Sequence, residues 1–284
     1  MILFSTGSLY SYGTARVFDL AAQVGYDGIE VMVDGRLDTH QPAYLRRLSA
    51  RTGLPIKVVH SPFTKFVPGW PDDQAPRLRR SLELAQEVGA DRVVAHLPHR
   101  YHRLSLRWNL GRPRRLQTLI PYPLHSPYER VLQEDLAELE AETGVMVGVE
   151  NMPASRWMFG AVSRYWFNTL EKLAQFPHLT LDTTHLGTWG MDPLAVYNRL
   201  RDRIVHVHLS NFNGEEHRAP DDGELPLDHF LHHLADDGYQ GTITIESHPV
   251  ALRADREESC IRAMADALAF CREHFRVTPT GEIE

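Results

Sequence analysis

Eight short apolar runs alternate along the chain with segments of helical periodicity, and this alternation restricts the fold more than any other feature. Most runs are nearly continuous in valine, isoleucine and leucine, as expected of parallel strands that are buried on both faces. The helical segments end at glycines such as Gly25, Gly53 and Gly89, which favour helix C-termini. Strands are predicted at 2–7, 28–33, 55–60, 92–97, 145–150, 179–183, 204–209 and 242–247, and helices at 14–24, 41–51, 74–88, 126–144, 163–176, 193–202, 227–237 and 256–274.

A strict β–α alternation through eight units predicts an α/β protein that forms a single (β/α)8 TIM barrel. A doubly wound open sheet is the competing architecture, but no G-x-G-x-x-G motif follows the first predicted strand. The 284 residues, of which 43% are hydrophobic, suffice for one large core. We therefore predict one barrel domain over 1–276, with an arginine- and proline-rich loop insertion at about 98–125, and a C-terminal tail at 277–284.

The apolar runs and the cysteines indicate the cellular compartment of the protein. No stretch approaches the roughly 18 apolar residues of a membrane span, and the first residues lack the charged and apolar regions of a signal peptide. Cys260 and Cys271 fall eleven residues apart in one predicted helix. That spacing corresponds to roughly 16 Å, which is too far for a disulfide. We expect a cytoplasmic protein with reduced thiols and no membrane partner.

The charge balance argues against non-specific binding of nucleic acid. The formal net charge is −7, from 37 acidic and 30 basic residues. Residues 99–115 run against this balance, because they contain six arginines and no acidic residue. This segment is interpreted as a solvated lid, as a clamp for a phosphate group, or as a contact with DNA or a second subunit.

Nine residues that are able to bind metal lie at or just beyond the ends of the predicted strands. The C-terminal ends of all strands lie on one face of a parallel barrel, and that face carries the chemistry of barrel enzymes. The pattern therefore predicts one metal site at the C-terminal face. The nine candidates are His60, His96, Glu150, Asp182, His185, His208, Glu215, His217 and Glu246.

Four of these candidates follow the fifth to eighth predicted strands in succession. Carboxylates combined with one imidazole suit a divalent ion such as Mn, Co, Mg or Zn. Glu150 and Glu246 come from roughly opposite sides of the mouth, where they are able to flank a substrate carbon and exchange its proton while the ion polarises a carbonyl oxygen. We predict a divalent metal and no nucleotide cofactor, and the predicted ligands are Glu150, Asp182, His208 and Glu246.

An imidazole-rich set extends this site. Such a set favours zinc and is able to hold more than one ion, which suits phosphodiester chemistry. Glu30 on the second predicted strand points toward the same mouth, where an ion pair and a substrate contact are both open interpretations. If the site holds one ion, His60 and His96 face the substrate or are structural. The extended set consists of His60, His96, His185, Glu215 and His217.

Several motifs resemble the xylose-isomerase-like TIM-barrel superfamily. They are FSTGSLYSYGTARVFDLAAQVGYDGIEVMVD, GVENMP, LDTTHLG, HVHLSN and ITIESH, and the likeness covers nearly the whole chain but is weakest at 98–125. The superfamily holds sugar isomerases and epimerases, inositol-catabolism enzymes and DNA repair nucleases of the endonuclease IV type. Its single-metal site matches Glu150, Asp182, His208 and Glu246.

The resemblance also implies roles for individual residues. In the epimerases of the family the two glutamates transfer the proton, and a histidine like His185 and an arginine like Arg218 touch substrate oxygens. The trinuclear zinc site of the endonuclease IV branch matches all nine candidates. That branch has Asp-x-His where this chain has Glu215-x-His217, so this pair matches least well.

Three hypotheses follow for the function. The first is a metal-dependent isomerase or epimerase of a sugar, sugar phosphate or polyol, with Glu150, Glu246 and His185 as catalytic residues and Arg218, Glu30, His60 and His96 near the substrate. The second is a zinc-dependent phosphodiesterase or abasic-site endonuclease, for which alone nucleic acid is a partner. The third is a barrel that has kept the metal only as structure. The first is favoured by the acidic charge and the opening segment, and it is compatible with a homo-oligomer.

Overall fold

The chain forms a closed barrel of eight parallel strands surrounded by helices. This computed structural model describes residues 1–64, 66–110, 112–121, 126–157 and 160–276, and it describes the backbone alone for 102–110, 112–121, 156 and 157. The strands in chain order are β1 Ile2–Ser5, β2 Gly28–Met32, β3 Ile56–His60, β4 Arg92–Ala95, β5 Tyr101–Leu110, β6 Arg112–Pro121, β7 Met146–Glu150, β8 Ala154–Trp157, β9 Gly160–Ser163, β10 His178–Asp182, β11 Ile204–Leu209 and β12 Thr242–Ile245.

The barrel closes in the order β1, β2, β3, β4, β7, β10, β11, β12, with β12 paired again to β1. Each of these strands lies between two parallel neighbours, and almost every residue in them is buried. Strands covered by helices outside and by side chains inside have no solvent face, so even the polar residues that alternate with apolar ones in β10 to β12, such as Thr180, His206 and Thr244, are buried. The predicted (β/α)8 barrel is therefore confirmed.

Helices cover the outside of the barrel. Their buried faces carry regularly spaced apolar residues, as in α1, where Val17, Phe18, Leu20 and Ala21 pack into the core. The helices are α1 Thr14–Val24, α2 Pro42–Thr52, α3 Gln74–Val88, α4 Pro127–Arg130, α5 Leu136–Thr143, α6 Leu170–Leu173, α7 Thr183–Trp189, α8 Pro193–Leu200, α9 Leu227–Asp236 and α10 Glu257–His274.

Two segments differ from their predicted structure. The helix expected at 163–176 is only the single turn α6, because β9 extends to Ser163 and Phe167 has a positive φ of 61°. The insertion at about 98–125 was expected to be a loop, yet it contains the antiparallel hairpin of β5 and β6. Residues 111 and 122–125 of that insertion, and the predicted tail at 277–284, lie outside the described residues.

The two cysteines and the helices can also be compared with the sequence predictions. Cys260 and Cys271 are both buried free thiols, and neither forms a disulfide. In the described part of the chain, no helix combines the length and the apolar character that crossing a bilayer requires.

Gly187 allows a close approach between α7 and the loop that follows β11. A Cβ added at Gly187 would lie 2.6 Å from the Cβ of Phe212. We expect Gly187→Ala to lower the free energy of unfolding by about 1–3 kcal/mol, because packed side chains must shift. Gly35→Ala is the matched control, since its Cβ would meet only an ordinary contact at 3.5 Å. Urea denaturation compares the two variants, and equal stabilities would contradict the packing argument.

Candidate metal centre

The barrel brings most of the candidate ligands together at its C-terminal face. Glu150 and Asp182 are the last residues of β7 and β10, and His60 is the last residue of β3. His96 and Glu246 directly follow β4 and β12. Each of these five strands thus ends with, or is directly followed by, a polar side chain at the same mouth, because the closed parallel arrangement brings their C-terminal ends together.

A central group of four side chains lies around one ring nitrogen. Glu150, Asp182, His208 and Glu246 are buried and each offers a ligand atom within 4.8 Å of the others. The Nδ1 atom of His208 lies 2.8 Å from Glu246 Oε2, 3.0 Å from Glu150 Oε1 and 3.8 Å from Asp182 Oδ2. Three carboxylates and an imidazole therefore converge on one point.

Two further groups adjoin the central one and share its carboxylates. Glu150 also groups with His60 and His96, and its Oε2 lies 2.9 Å from His96 Nε2 and 3.8 Å from His60 Nε2. Asp182 also groups with His185 and His217. Glu150 and Asp182 thus connect three adjacent groups, and Glu30 forms a fourth group with His60 and His208.

Hydrogen bonds orient the outer histidines, which are the histidines of the two outer groups: His60, His96, His185 and His217. In three of them the Nδ1 atom donates to a main-chain carbonyl, which leaves the lone pair on Nε2 free to bind a metal. The carbonyl acceptors are Ser61 at 3.0 Å from His60, Asn151 at 2.8 Å from His185, and Glu246 at 3.1 Å from His217.

The charge of the centre is unbalanced without cations. Glu30, Glu150, Asp182 and Glu246 are buried, and in the described part of the chain every ion-pair partner of these carboxylates is a histidine. Neutral imidazoles leave their negative charge uncompensated in a low-dielectric interior, which is costly.

The pKa values of the central group reflect this crowding. Burial opposes the charged form of His208, but Glu246, Glu30 and Glu150 outweigh it and hold the pKa of His208 well above its usual value. Burial also opposes ionisation of Glu246, yet the adjacent His208 lowers the pKa of that carboxyl to about 2. For Asp182, burial dominates and raises the pKa well above the usual value. A proton on His208 thus supplies part of the missing positive charge.

Among the described residues of the cluster, two buried carboxylate oxygens form no hydrogen bond, and they test whether metal ions fit. They are Asp182 Oδ2 and Glu150 Oε2, the latter in an ion-pair contact with His96 Nε2 that lacks hydrogen-bond geometry. Asp182 Oδ1 meanwhile accepts from the backbone N–H of His185 and caps α7. Native proteins rarely leave buried carboxylate oxygens unpaired. The unpaired oxygens, the oriented imidazoles and the negative charge together fit divalent cations.

Two sequence-based candidates do not reach this cluster. The Glu215 side chain is 78% exposed and pairs with Arg218, because the backbone directs it away from the mouth. Arg218 donates to both Glu215 and Asp222, so carboxylates of its own loop already occupy its guanidinium group. The role of Arg218 at a substrate stays a prediction.

Glu30 lies beneath the cluster rather than at its mouth. Its side chain is 0% exposed, and its oxygens contact the Nε2 atoms of His206 and His208. This position fits the ion-pair interpretation, and a contact between Glu30 and substrate stays a prediction.

Sequence reasoning did not single out two residues near the centre. Glu216 Oε2 lies 3.9 Å from His185 Nε2, so Glu216 rather than Glu215 approaches the third group. Phe63 is 55% exposed, and its ring stacks on His96 with centroids 5.2 Å apart. The signal for Phe63 was its place three residues after His60, in the loop leaving β3.

Known proteins share this architecture. A family described as a xylose isomerase-like TIM barrel matches residues 18–274. An uncharacterized protein of Mycobacterium leprae is 28% identical over 293 residues, covering 95% of this chain and 96% of that protein. An inosose dehydratase of Lacticaseibacillus casei is 29% identical over 104 residues, which is 30% of this chain and 35% of that enzyme.

Solved structures agree in fold. A D-tagatose 3-epimerase-like protein superposes with a TM-score of 0.63 at 21% identity, covering 96% of this chain and 98% of that one. A family 2 AP endonuclease from Brucella melitensis reaches 0.61 at 16% identity, covering 87% and 93%. At these identities the likeness concerns the fold. Together with the family match over nearly its whole length, it shows that the chain belongs to the xylose isomerase-like TIM-barrel family.

Proposed function

We propose that the protein is a divalent-metal-dependent isomerase or epimerase that acts on a sugar, sugar phosphate or polyol by proton transfer next to a carbonyl. The observation that carries this proposal is the placement of Glu150 and Glu246. They approach the same nitrogen of His208 from different strand ends, at 3.0 and 2.8 Å. The relatives described as inosose dehydratase and as epimerase-like act as further support for a sugar-like substrate.

The two glutamates are suited to exchange a proton. Although burial opposes ionisation, neighbouring histidines hold the pKa of Glu150 well below its usual value and that of Glu246 at about 2. Both are therefore ionised at neutral pH and ready to accept a proton from a carbon atom beside a carbonyl. Glu246 takes the proton in this proposal, and its protonated carboxyl returns that proton to the neighbouring position of an isomerase substrate. Delivery to the opposite face, as an epimerase requires, needs a Glu150 that has taken up a proton from solvent water, while Glu246 gives its own proton to solvent.

The remaining residues bind and orient. Glu150, Asp182, His208 and Glu246 would hold a divalent cation, which supplies polarisation of the substrate carbonyl when bound. His185 donates through Nδ1 to Asn151, so its Nε2 is an acceptor available to a substrate hydroxyl.

A second candidate function rests on the three adjacent groups. Because Glu150 and Asp182 each belong to two groups, the cluster suits several zinc ions as well as one. Adjacent ions stabilise the attacking and leaving oxygens of a phosphodiester displacement. The second candidate is therefore a zinc-dependent phosphodiesterase of the endonuclease IV type, and its binding to abasic DNA would weaken steeply with salt.

The test is hydrogen exchange at the substrate carbon. Metal-loaded protein is incubated in D2O with ketoses, ketose phosphates and inososes, and deuterium at the α-carbon is measured by NMR. We expect exchange in the wild type and a loss of about 10²–10⁴-fold in Glu246→Gln, since the base is removed. Glu258→Gln, on the exposed face of α10, is the control. Retained exchange in Glu246→Gln would exclude Glu246 as the base, and cleavage of abasic DNA without any exchange would favour the second candidate.

A further inference from the structure

A buried chain of polar groups lies directly behind the central histidine. Glu30, in the middle of β2, is wholly enclosed by the barrel, as are His206 and His208 of β11. The Nε2 atom of His208 lies 3.1 and 3.3 Å from the two Glu30 oxygens. The Nε2 atom of His206 lies 2.9 Å from Glu30 Oε2, and its Nδ1 lies 2.7 Å from the hydroxyl of Thr242.

The hydrogen-bond capacity of a carboxylate decides which ring nitrogens carry protons. An ionised carboxylate only accepts, so both Nε2 atoms that face Glu30 must donate. His208 with a proton on Nε2 has its other nitrogen, Nδ1, directed at Glu150 and Glu246. With a cation held by these carboxylates, the tautomer of His208 that Glu30 selects would be the one whose lone pair faces the cation.

His208 differs from the outer histidines in this respect. His60, His185 and His217 present Nε2 and are held by neutral carbonyl groups. His208 presents Nδ1 and is held by a charged group, which makes its imidazole more electron-rich. His208 has more carboxylate neighbours than the outer histidines, and it is also the one whose second ring nitrogen contacts a buried carboxylate, that of Glu30.

We propose that Glu30 and His206 form a positioning pair that holds His208 in the tautomer and orientation needed to bind metal through Nδ1. Glu30 also lies close enough to His60 and His208 to form a possible metal group, but both of its oxygens face histidine Nε2 atoms, so in this proposal the pair contacts neither substrate nor metal. This inference deepens the proposed function and rests on metal binding by the central group. His206 anchors the shared Glu30 oxygen, and the Thr242 hydroxyl donates to His206 Nδ1 and so completes the chain.

The chain makes a specific prediction for Glu30→Gln. The amide accepts at one end and donates at the other, so only one of the two histidines keeps an acceptor for its Nε2–H. His206 is able to change tautomer, because the Thr242 hydroxyl accepts as readily as it donates. His208 has no such choice in zinc-loaded protein, because its Nδ1 lies among the carboxylates that would hold the ion. We expect His206 to move its proton to Nδ1 while His208 keeps its proton on Nε2.

The affinity for zinc measures the consequence. Loss of a partner behind a metal-binding histidine typically weakens metal binding 10- to 100-fold. We expect about 10-fold for Glu30→Gln, which keeps one acceptor, and about 100-fold for Glu30→Met, which keeps none. Glu140→Gln is the matched control, because it changes a carboxylate–histidine pair outside the metal site, between α5 and the first residue of β10, and we expect wild-type affinity. Competition with a chromophoric chelator gives the dissociation constants, and thermal melting checks that each variant is folded.

Long-range ¹H–¹⁵N correlation spectra of histidine-labelled, zinc-loaded protein supply the second readout, because they distinguish the two tautomers. The expected result is a change of His206 from Nε2–H to Nδ1–H in Glu30→Gln, together with weaker zinc binding. A purely structural role would change stability without this change of tautomer. Wild-type zinc affinity and an unchanged His206 in Glu30→Gln would overturn the proposal while leaving the metal site intact. Wild-type protein that binds no zinc would overturn the metal site and the positioning pair together.

Discussion

Glu150→Gln is expected to lower kcat/KM by about 10²–10⁴-fold and to weaken binding at two neighbouring ion positions at once. Glu150 belongs to the central group and to the group with His60 and His96, since its Oε1 lies 3.0 Å from His208 Nδ1 and its Oε2 lies 2.9 Å from His96 Nε2. The amide is nearly the same size as the carboxylate but is neutral, so it neither accepts a substrate proton nor compensates a cation. Losses in both properties follow from one substitution because one side chain serves both groups.

Elemental analysis and steady-state kinetics on the same preparation check this expectation. Glu138→Gln on the exposed side of α5 is the control, and it should retain wild-type metal content and rate. His96→Gln provides a further comparison, because His96 belongs to the outer group alone. Full metal content in Glu150→Gln would remove Glu150 from the ligand set, and an unchanged rate would remove it from proton transfer.

A parallel α/β architecture was predictable from local sequence because its strands are buried on both faces, as the nearly continuous apolar runs of β1 and β7 indicate. Eight β–α units without a G-x-G-x-x-G motif after the first strand then favoured the barrel over a doubly wound sheet. The strand ends were predictable for the same reason, since a polar residue that closes an apolar run marks the rim. That argument located Glu150, Asp182 and Glu246 without any knowledge of their contacts.

Contacts between distant segments were beyond this reasoning. Whether Glu30 faces the mouth or His208 depends on how β2 and β11 meet across the barrel interior, which no local pattern encodes. Glu215 and Glu216 have the same chemistry and adjacent positions, so only the path of the loop decides which approaches His185. The short helix α7 was also missed, because its start depends on capping by Asp182, a residue interpreted only as a ligand.

Metal removal is expected to lower the melting temperature by about 10 °C. A ligand present at 1,000 times its dissociation constant stabilises a fold by about 4 kcal/mol, and 1 kcal/mol corresponds to about 2–4 °C for a domain of this size. The loss should be large here because chelation leaves buried carboxylates facing one another with only histidines as counter-charges. Differential scanning fluorimetry with and without a chelator measures the change, and re-addition of zinc or manganese should reverse it.

The difference in melting temperature between metal-loaded and chelated protein is also expected to increase above about pH 7. In chelated protein the pKa of His208 is raised well above its usual value despite burial, because Glu246, Glu30 and Glu150 surround it. Its stabilising effect is complete below the unfolded pKa of about 6.5 and is lost as the pH rises through the folded pKa. Metal binding instead strengthens as the ligands lose their protons. A difference in melting temperature that stays constant from pH 6 to 9 would contradict the substitution of a cation for the His208 proton. The number of ions per chain that restores full stability separates the two candidate functions: near one supports the isomerase, and near three supports the phosphodiesterase.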